Sequence, residues 1–520
     1  MHTDARSLPD GTVLDADVCI VGAGAAGITL ARELSKGPLK VLLLEGGGFD
    51  REPQMQDLLR GEIVGKPYFP LEAAAERFFG GATNHWAGWC ATYDALDFEK
   101  RDWIPHSGWP ITRADLDPFY ARAQPILELG PYKYDAADWK NGDAERATLL
   151  PDSQLFYTKM WQFSPPTRFG QKYRSDIVNS PNVHLYTYAN VVEVEANEGL
   201  SAVQSVRVRQ FDGKELRARA KRFVLACHTI QNARLLLASN RQARTGLGNS
   251  NDLVGRFFME HFEMPSGELI VADPKAATTK IYALDMQKRT PRGELALTAS
   301  AQREHRLLNG TTSVEAGSAT DQIQSTFQFI DTAMITAMLE WEKGGRKGVP
   351  PIAAKAMKMS SPISGSAHRY HLTTRQEQAP NPDSRVTLSS EKDALGMPRA
   401  RLNWQVTDLD KRSMRTFYHL LGREMGRTGT GRVQIRDWLL SDDKTWPSFI
   451  SGGWHHMGTT RMSADPKQGV VDANCKVHSL ANLYISGAGV YCTAGGVNPT
   501  LTLVALALRL ADHLKRTSAA

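Results

Sequence analysis

The chain has 520 residues, 42% hydrophobic and 23% charged, with 62 basic against 56 acidic side chains and a formal net charge of +6. That length exceeds one ordinary hydrophobic core and implies two domains or one elaborated large fold. The basic residues are scattered rather than gathered into runs, so the charge reads as a solvated surface and argues against a nucleic-acid partner. Five cysteines, at 19, 90, 227, 475 and 492 and with no C-x-x-C pair, argue against a disulfide framework or zinc ribbon and fit a reducing compartment. The opening residues MHTDARSLPDGTVLDADVCIVGAG carry charge where a secretory signal needs an apolar run, so a cytoplasmic location is expected. The most apolar tail segment, LTLVALALRLA (501–511), is shorter than a bilayer span and contains Arg509, so no membrane span is expected.

The first element is a run of β-formers, Asp17 to Val21, entering Gly22-x-Gly24-x-x-Gly27. A helical pattern follows through Ile28, Leu30, Ala31 and Leu34, and a second strand, Val41 to Leu44, ends at Glu45. The first glycine permits a tight turn, the second lets the backbone approach a pyrophosphate, and the third lets helix and strand pack closely. The helix start offers free N–H groups and a positive dipole end to phosphates. Glu45 stands 18 residues past Gly27, near the position from which a carboxylate accepts hydrogen bonds from an adenosine ribose. The pattern marks a dinucleotide site and does not separate FAD from NAD.

Residues 77–90 read RFFGGATNHWAGWC, a double glycine followed by Asn84, His85 and Trp86. With the opening stretch, this resembles the glucose-methanol-choline (GMC) oxidoreductases. The resemblance implies an α/β chain, α+β overall. Its parts are a Rossmann-like FAD-binding domain and a substrate domain built on an antiparallel β-sheet flanked by helices. It implies FAD as cofactor, with Gly80 and Gly81 along the flavin and Asn84 and His85 beside it. In some members of the family a histidine placed as His85 is bonded covalently to the flavin 8α-methyl group; in others FAD is dissociable. Both outcomes stay open here.

The resemblance divides the chain into FAD-domain pieces 1–100, 181–262 and 452–520, a connection or substrate-side cap over 101–180, and a substrate domain over 263–451. Within the connection, SGWPITRADLDPFYARA reads as a helix introduced by a Pro-marked turn. FVLACHTIQNARLLLASN (223–240) is similar to the family's second signature, but His228 and Thr229 occupy a turn where the family usually has glycines. His228 is therefore read as a turn or core histidine without a catalytic role. LVGRFFMEH (253–261) matches a recurrent segment. GELIVAD (267–273), ELALTASAQ (294–302), TTSVEAGS (311–318) and HRYHLTTRQEQ (368–378) are β-rich runs that predict an antiparallel sheet. STFQFIDTAMITAMLEWEK (325–343) is a core or interface helix. In EQAPNPDSRVTLS (377–389), Gln378 either contacts substrate hydroxyls or caps a turn.

Near the C-terminus GGWHHMGTTRM (452–462) resembles the family pattern His-x-x-Gly-Thr, and Gly496-Val497-Asn498-Pro499-Thr500 resembles the segment carrying a His or Asn partner. By that match His455 is the catalytic base, Asn498 its partner, and Thr500 lies at the cofactor. His456 is favoured as structural. A metal site using His455 or His456 with Cys475 and His478 fits no compact zinc pattern, and no metal is expected. Pro499 suits the first turn of a Leu501 to Leu514 helix, whose positive end would face the flavin's N1/O2 edge.

The chemistry implied is oxidation of a CH–OH group of a sugar, polyol or glycoside. A neutral imidazole takes the hydroxyl proton while hydride moves to flavin N5. The alternatives are a GMC-type lyase with structural flavin and oxidation of an aryl or aliphatic alcohol. The electron acceptor, whether O2, a quinone or a redox protein, and the oligomeric state are open.

Overall fold

The first apolar run becomes the strand Val13–Val21, longer at its start than the pattern predicts, and Val41–Leu44 pairs parallel to it with Val18 opposite Val41. The structure, a computed structural model, describes residues 1–140, 147–273, 280–316, 360–361, 369–441, 445–447, 450 and 452–519. Every residue of Val41–Leu44 is buried, as strands of a parallel sheet covered on both faces require. The sheet continues through His2–Asp4, Val183–Thr187, Glu215–Leu225 and Leu483–Ile485, all in parallel pairs. An antiparallel meander, Val191–Ala196 and Val203–Arg209, closes its other edge. The helix Ala25–Leu34 packs on the C-terminal helix Thr500–Ala519. This is a Rossmann-like layer, with the glycine turn at the carboxyl ends of its parallel strands.

A second sheet runs in the order Gly431–Ile435, His261–Val271, Arg369–Glu377, Gly310–Thr312, Arg292–Leu297, Phe156–Phe163 and Trp89–Cys90. All its pairings are antiparallel, and Glu315–Ala316 adds to Arg369–Glu377. The helix Asp408–Arg427 packs against it, started by a capping box between Thr407 and Asp410. Two strands of this sheet, Trp89–Cys90 and Phe156–Phe163, come from outside residues 263–451.

Most of the β-rich runs form strands, and one ends early. Residues 299–302 are helical, because Thr298 Oγ1 accepts the Ala301 N–H at 3.2 Å and caps the helix Ala299–His305. In the connection, the helix Arg113–Ile126 starts at a capping box of Thr112 with Asp115. The run at 325–343 lies outside the described residues.

Candidate active site

The glycine turn is built by contact. Gly22 has φ +102°, and a Cβ there would meet the Ala226 carbonyl oxygen at 2.5 Å. Gly27 packs on Gly22, where a Cβ would lie 1.9 Å from its carbonyl oxygen. Around Gly24, the residue before the helix Ala25–Leu34, a Cβ would meet nothing within 4 Å. Its backbone thus faces open space at the helix start, the cradle that a pyrophosphate needs. Glu45 accepts the N–H groups of Ala23 and Gly47, each at 2.9 Å, and burial raises its carboxyl above the ordinary range.

That open space belongs to a cavity of about 670 Å³. Gly22, Gly24, Glu45, Gly81 and His85 line it, and so do His455, Asn498 and Thr500. The residues expected at the two ends of the chain are therefore brought to one cavity. Gly27, Gly80, Asn84 and Gln378 are not on its walls. Asn84 instead donates from Nδ2 to the Phe79 carbonyl at 3.0 Å and ties the double-glycine turn. Gln378 is fully buried; its Oε1 accepts from the Glu260 amide (3.1 Å) and Trp404 Nε1 (2.9 Å), and its Nε2 donates to Gln405 O (2.7 Å). Its Oε1 and one Nε2 hydrogen hold neighbouring loops together, away from the cavity wall.

His85 Nδ1 lies 3.2 Å from Glu76 Oε1, and the ring sits against Trp454 at 5.3 Å. Pro499 stands one residue before the helix, not inside its first turn, and its carbonyl accepts the Leu503 N–H at 2.8 Å. Thr500 therefore begins the helix at the cavity wall, with first-turn N–H groups that intrahelical bonds leave free.

His455 is held on both sides. Its amide donates to Glu260 Oε1 at 2.6 Å, and its ring Nδ1 lies 3.0 Å from His261 Nδ1. His261 Nε2 in turn donates to the carbonyls of Gly495 (2.7 Å) and Ala494 (3.1 Å), in the segment that leads to Asn498. Burial lowers the His455 pKa well below its ordinary value, with the nearby His261 and Arg375 adding to the effect, and burial lowers that of His261 as well. Asn498 Oδ1 is buried without a partner among the described residues. His261 was passed over in the sequence because it closes an apolar run 194 residues from its partner; its neighbour Glu260, an acid inside that run, is the signal that marks the place.

His456 is not a plain core histidine. Its Nδ1 is 2.9 Å from His228 Nε2 and its Nε2 is 2.6 Å from Tyr68 Oη, whose hydroxyl donates to Glu260. His228 also departs from the turn-or-core reading. It lines the cavity at φ +86°, a left-handed conformation that costs a side-chain-bearing residue about 1–3 kcal/mol, and its Nδ1 is buried without a partner among the described residues. The antiparallel sheet side adds Glu263, Glu294, Ser313, Thr373 and Arg375 to the cavity lining. Arg375 bonds Glu263 (2.9 Å) and Glu294 (3.2 Å), while the hydroxyls of Ser313 and Thr373 are buried without partners among the described residues.

Comparison with known proteins shows the family. Residues 17–341 match the FAD dependent oxidoreductase family and residues 380–507 match the GMC oxidoreductase family. The chain is similar to 6'''-hydroxyparomomycin C oxidase of Streptomyces lividus, at 25% identity over 97% of this chain and 93% of that protein. It is similar to the fructose dehydrogenase large subunit of Gluconobacter japonicus, at 22% identity over 96% and 98%. Among solved structures, a formate oxidase of Aspergillus oryzae RIB40 shares the fold, with TM-score 0.57 and 17% identity over 98% of this chain and 100% of that one. The chain belongs to the FAD-dependent oxidoreductases of the GMC family. It is an FAD-dependent enzyme that acts on hydroxyl groups.

Proposed function

We propose that the protein oxidises a CH–OH group of a sugar, polyol or glycoside, with His455 as the base and Asn498 holding the same hydroxyl. The observation that carries the reading is the contact between His455 and His261. His261 Nε2 faces two carbonyls, which only accept, so that nitrogen carries its proton and its Nδ1 carries the lone pair. The proton between the two rings therefore belongs to His455 Nδ1, and His455 Nε2 keeps a lone pair on a ring that lines the cavity. Bound FAD supplies the hydride acceptor. His455 Nε2 takes the hydroxyl proton as the carbon gives up hydride, and the Asn498 amide holds the oxygen without adding charge.

The polar lining from the antiparallel sheet supports a polyhydroxylated substrate over an aryl or aliphatic alcohol. Two carboxylates, a guanidinium and the unpaired hydroxyls of Ser313 and Thr373 offer acceptors and donors to ring hydroxyls. A stopped-flow screen of sugars, polyols, amino sugars and aryl alcohols without air tests the reading: sugars or polyols are expected to bleach the flavin absorbance. A flavin that stays oxidised with every alcohol would favour the lyase alternative, and bleaching by aryl alcohols alone would remove the substrate class. Repeating the screen in air reports whether oxygen is the acceptor.

His261 acts through His455 and is a positioning residue. His261→Leu removes the acceptor for His455 Nδ1–H, and kcat is expected to fall about tenfold or more with KM little changed, because the ring is freed to take the wrong tautomer. His261→Gln can both accept from His455 and donate to a carbonyl, and is expected to recover most of the loss. Equal losses in the two variants would sink the positioning role.

For His85, the Glu76 carboxylate on Nδ1 favours the tautomer whose lone pair is on Nε2, the form able to bond the flavin methyl. Acid precipitation of the holoenzyme is accordingly expected to leave the yellow colour in the pellet. A yellow supernatant means that FAD is dissociable and His85 only packs beside it.

A further inference from the structure

Four titratable side chains stand in series from the cavity wall to a fully buried carboxyl, His228, His456 and Tyr68 all lining the cavity, and the proposed oxidation moves no proton through them. His228 Nε2 meets His456 Nδ1 at 2.9 Å, His456 Nε2 meets Tyr68 Oη at 2.6 Å, and Tyr68 Oη meets Glu260 Oε2. Glu260 is fully buried, and its other oxygen accepts the amides of His261 (3.0 Å) and His455 (2.6 Å). At the opposite end His228 Nδ1 has no partner among the described residues, and its residue is on the cavity wall.

We infer that His228, His456 and Tyr68 form a proton wire that carries one proton between the cofactor cavity and the carboxyl group of Glu260. With Glu260 as a carboxylate, Tyr68 donates to Glu260, His456 donates from Nε2 to Tyr68, and His228 donates from Nε2 to His456. His228 Nδ1 then presents a lone pair to the cavity. A proton arriving there breaks the Nε2–H bond of His228 as Nδ1 of His456 gains a proton. The His456 Nε2 proton passes to Tyr68, and the Tyr68 hydroxyl proton passes to Glu260. Every link now donates in the reverse direction: Glu260 to Tyr68, Tyr68 to His456, His456 to His228, and His228 Nδ1–H into the cavity. One proton has moved, both imidazoles and the phenol are again neutral, and no charge has been left on the way.

The surroundings suit both end states. Burial pushes the Glu260 carboxyl up to about 8, while the Tyr68 hydroxyl and the His261 and His455 amides work the other way and the charge of Glu263 adds to the rise. Burial lowers His228 to about 4, helped by His85, and holds His456 well below its ordinary value, so neither ring traps the proton. The strained backbone at His228 is the local cost of putting an imidazole nitrogen at the cavity end of the series. Each alcohol oxidised releases one proton that the hydride does not carry, and the wire gives the cavity a place to send or draw it.

The test follows the Glu260 proton itself and does not depend on turnover. Infrared difference spectra of the holoenzyme, grown on ¹³C-labelled glutamate to set Glu bands apart from Asp bands, are expected to show a neutral carboxyl that titrates near pH 8 and is missing in Glu260→Gln. On mixing into heavy water, its hydrogen–deuterium exchange is expected to slow by about tenfold or more in Tyr68→Phe, which removes the link next to the fully buried carboxyl, and by a smaller factor in His228→Gly, since His456 and Tyr68 also line the cavity. Glycine is at home at φ +86°, so the second variant should fold even if Glu260→Gln does not. Absence of the band, or exchange as fast in both wire variants as in the wild type, would overturn the proposal. Neither result bears on whether His455 is the base.

Discussion

His455→Ala is expected to slow anaerobic reduction of the bound flavin by alcohol by about a hundredfold or more, while FAD content stays at the wild-type level. The ring removed lines the cavity, whereas the glycine turn, Glu45 and Thr500, which face the cofactor's expected place, do not depend on it for position. The loss should fall on kcat and kcat/KM together, since the proton acceptor acts in the transition state. Stopped-flow traces of the variant, with flavin content read from its spectrum, check both halves of the expectation. A variant that reduces its flavin at the wild-type rate would refute the assignment.

The pH dependence follows from the same ring. Burial, then the charges of His261 and Arg375, lower the His455 pKa, so the neutral, proton-accepting form is present above that lowered value and is lost as pH falls through it. The acid limb of kcat/KM attributable to His455 is therefore expected below pH ~6.5, the ordinary value for histidine. An acid limb above that value that disappears in His455→Ala would contradict this electrostatic picture.

Arg101→Met is expected to destabilise the protein by about 3–5 kcal/mol, because it leaves a carboxylate buried without its counter-ion. Arg101 and Glu377 are both nearly or fully buried and pair through two bonds, at 2.5 and 3.0 Å. Glu377 also accepts the Asn309 amide at 2.7 Å and the Gly495 amide at 3.3 Å. The pair therefore anchors the second sheet to the segment that ends at Asn498, and the same substitution should also cost activity. Denaturant unfolding should show a lower midpoint, and adding Glu377→Gln should return part of the loss, since the unpaired charge is then gone. A single variant as stable as the wild type would mean that the pair is not what holds this loop.

The parts of the fold readable from the chain are those whose causes are local. A β-run, three spaced glycines, a helical pattern and a terminal acid follow one another within thirty residues, and each does in the structure what its neighbours require. Part of the second sheet was visible for the same reason, except where Thr298 stopped an alternating pattern by capping a helix, whereas Trp89–Cys90, Phe156–Phe163 and Gly431–Ile435 were not read as strands. Contacts between distant residues were not readable. Glu377 finds Arg101 across 276 residues, and His456 finds His228 across 228, so neither spacing nor composition shows that these groups meet. Gln378 shows the same limit: its segment left substrate contact and the capping of a turn equally open, and in the structure the side chain bonds Trp404, the Gln405 carbonyl and the Glu260 amide. The tautomer of His455 was beyond sequence reasoning too, because it is set by two carbonyls on the far side of His261.

The most direct measurement is a crystal structure of the FAD-loaded enzyme with a sugar or polyol bound. The substrate hydroxyl should lie within hydrogen-bonding distance of both His455 Nε2 and the Asn498 amide, with His455 Nδ1 still on His261. A reacting hydroxyl that touches neither side chain would contradict the account.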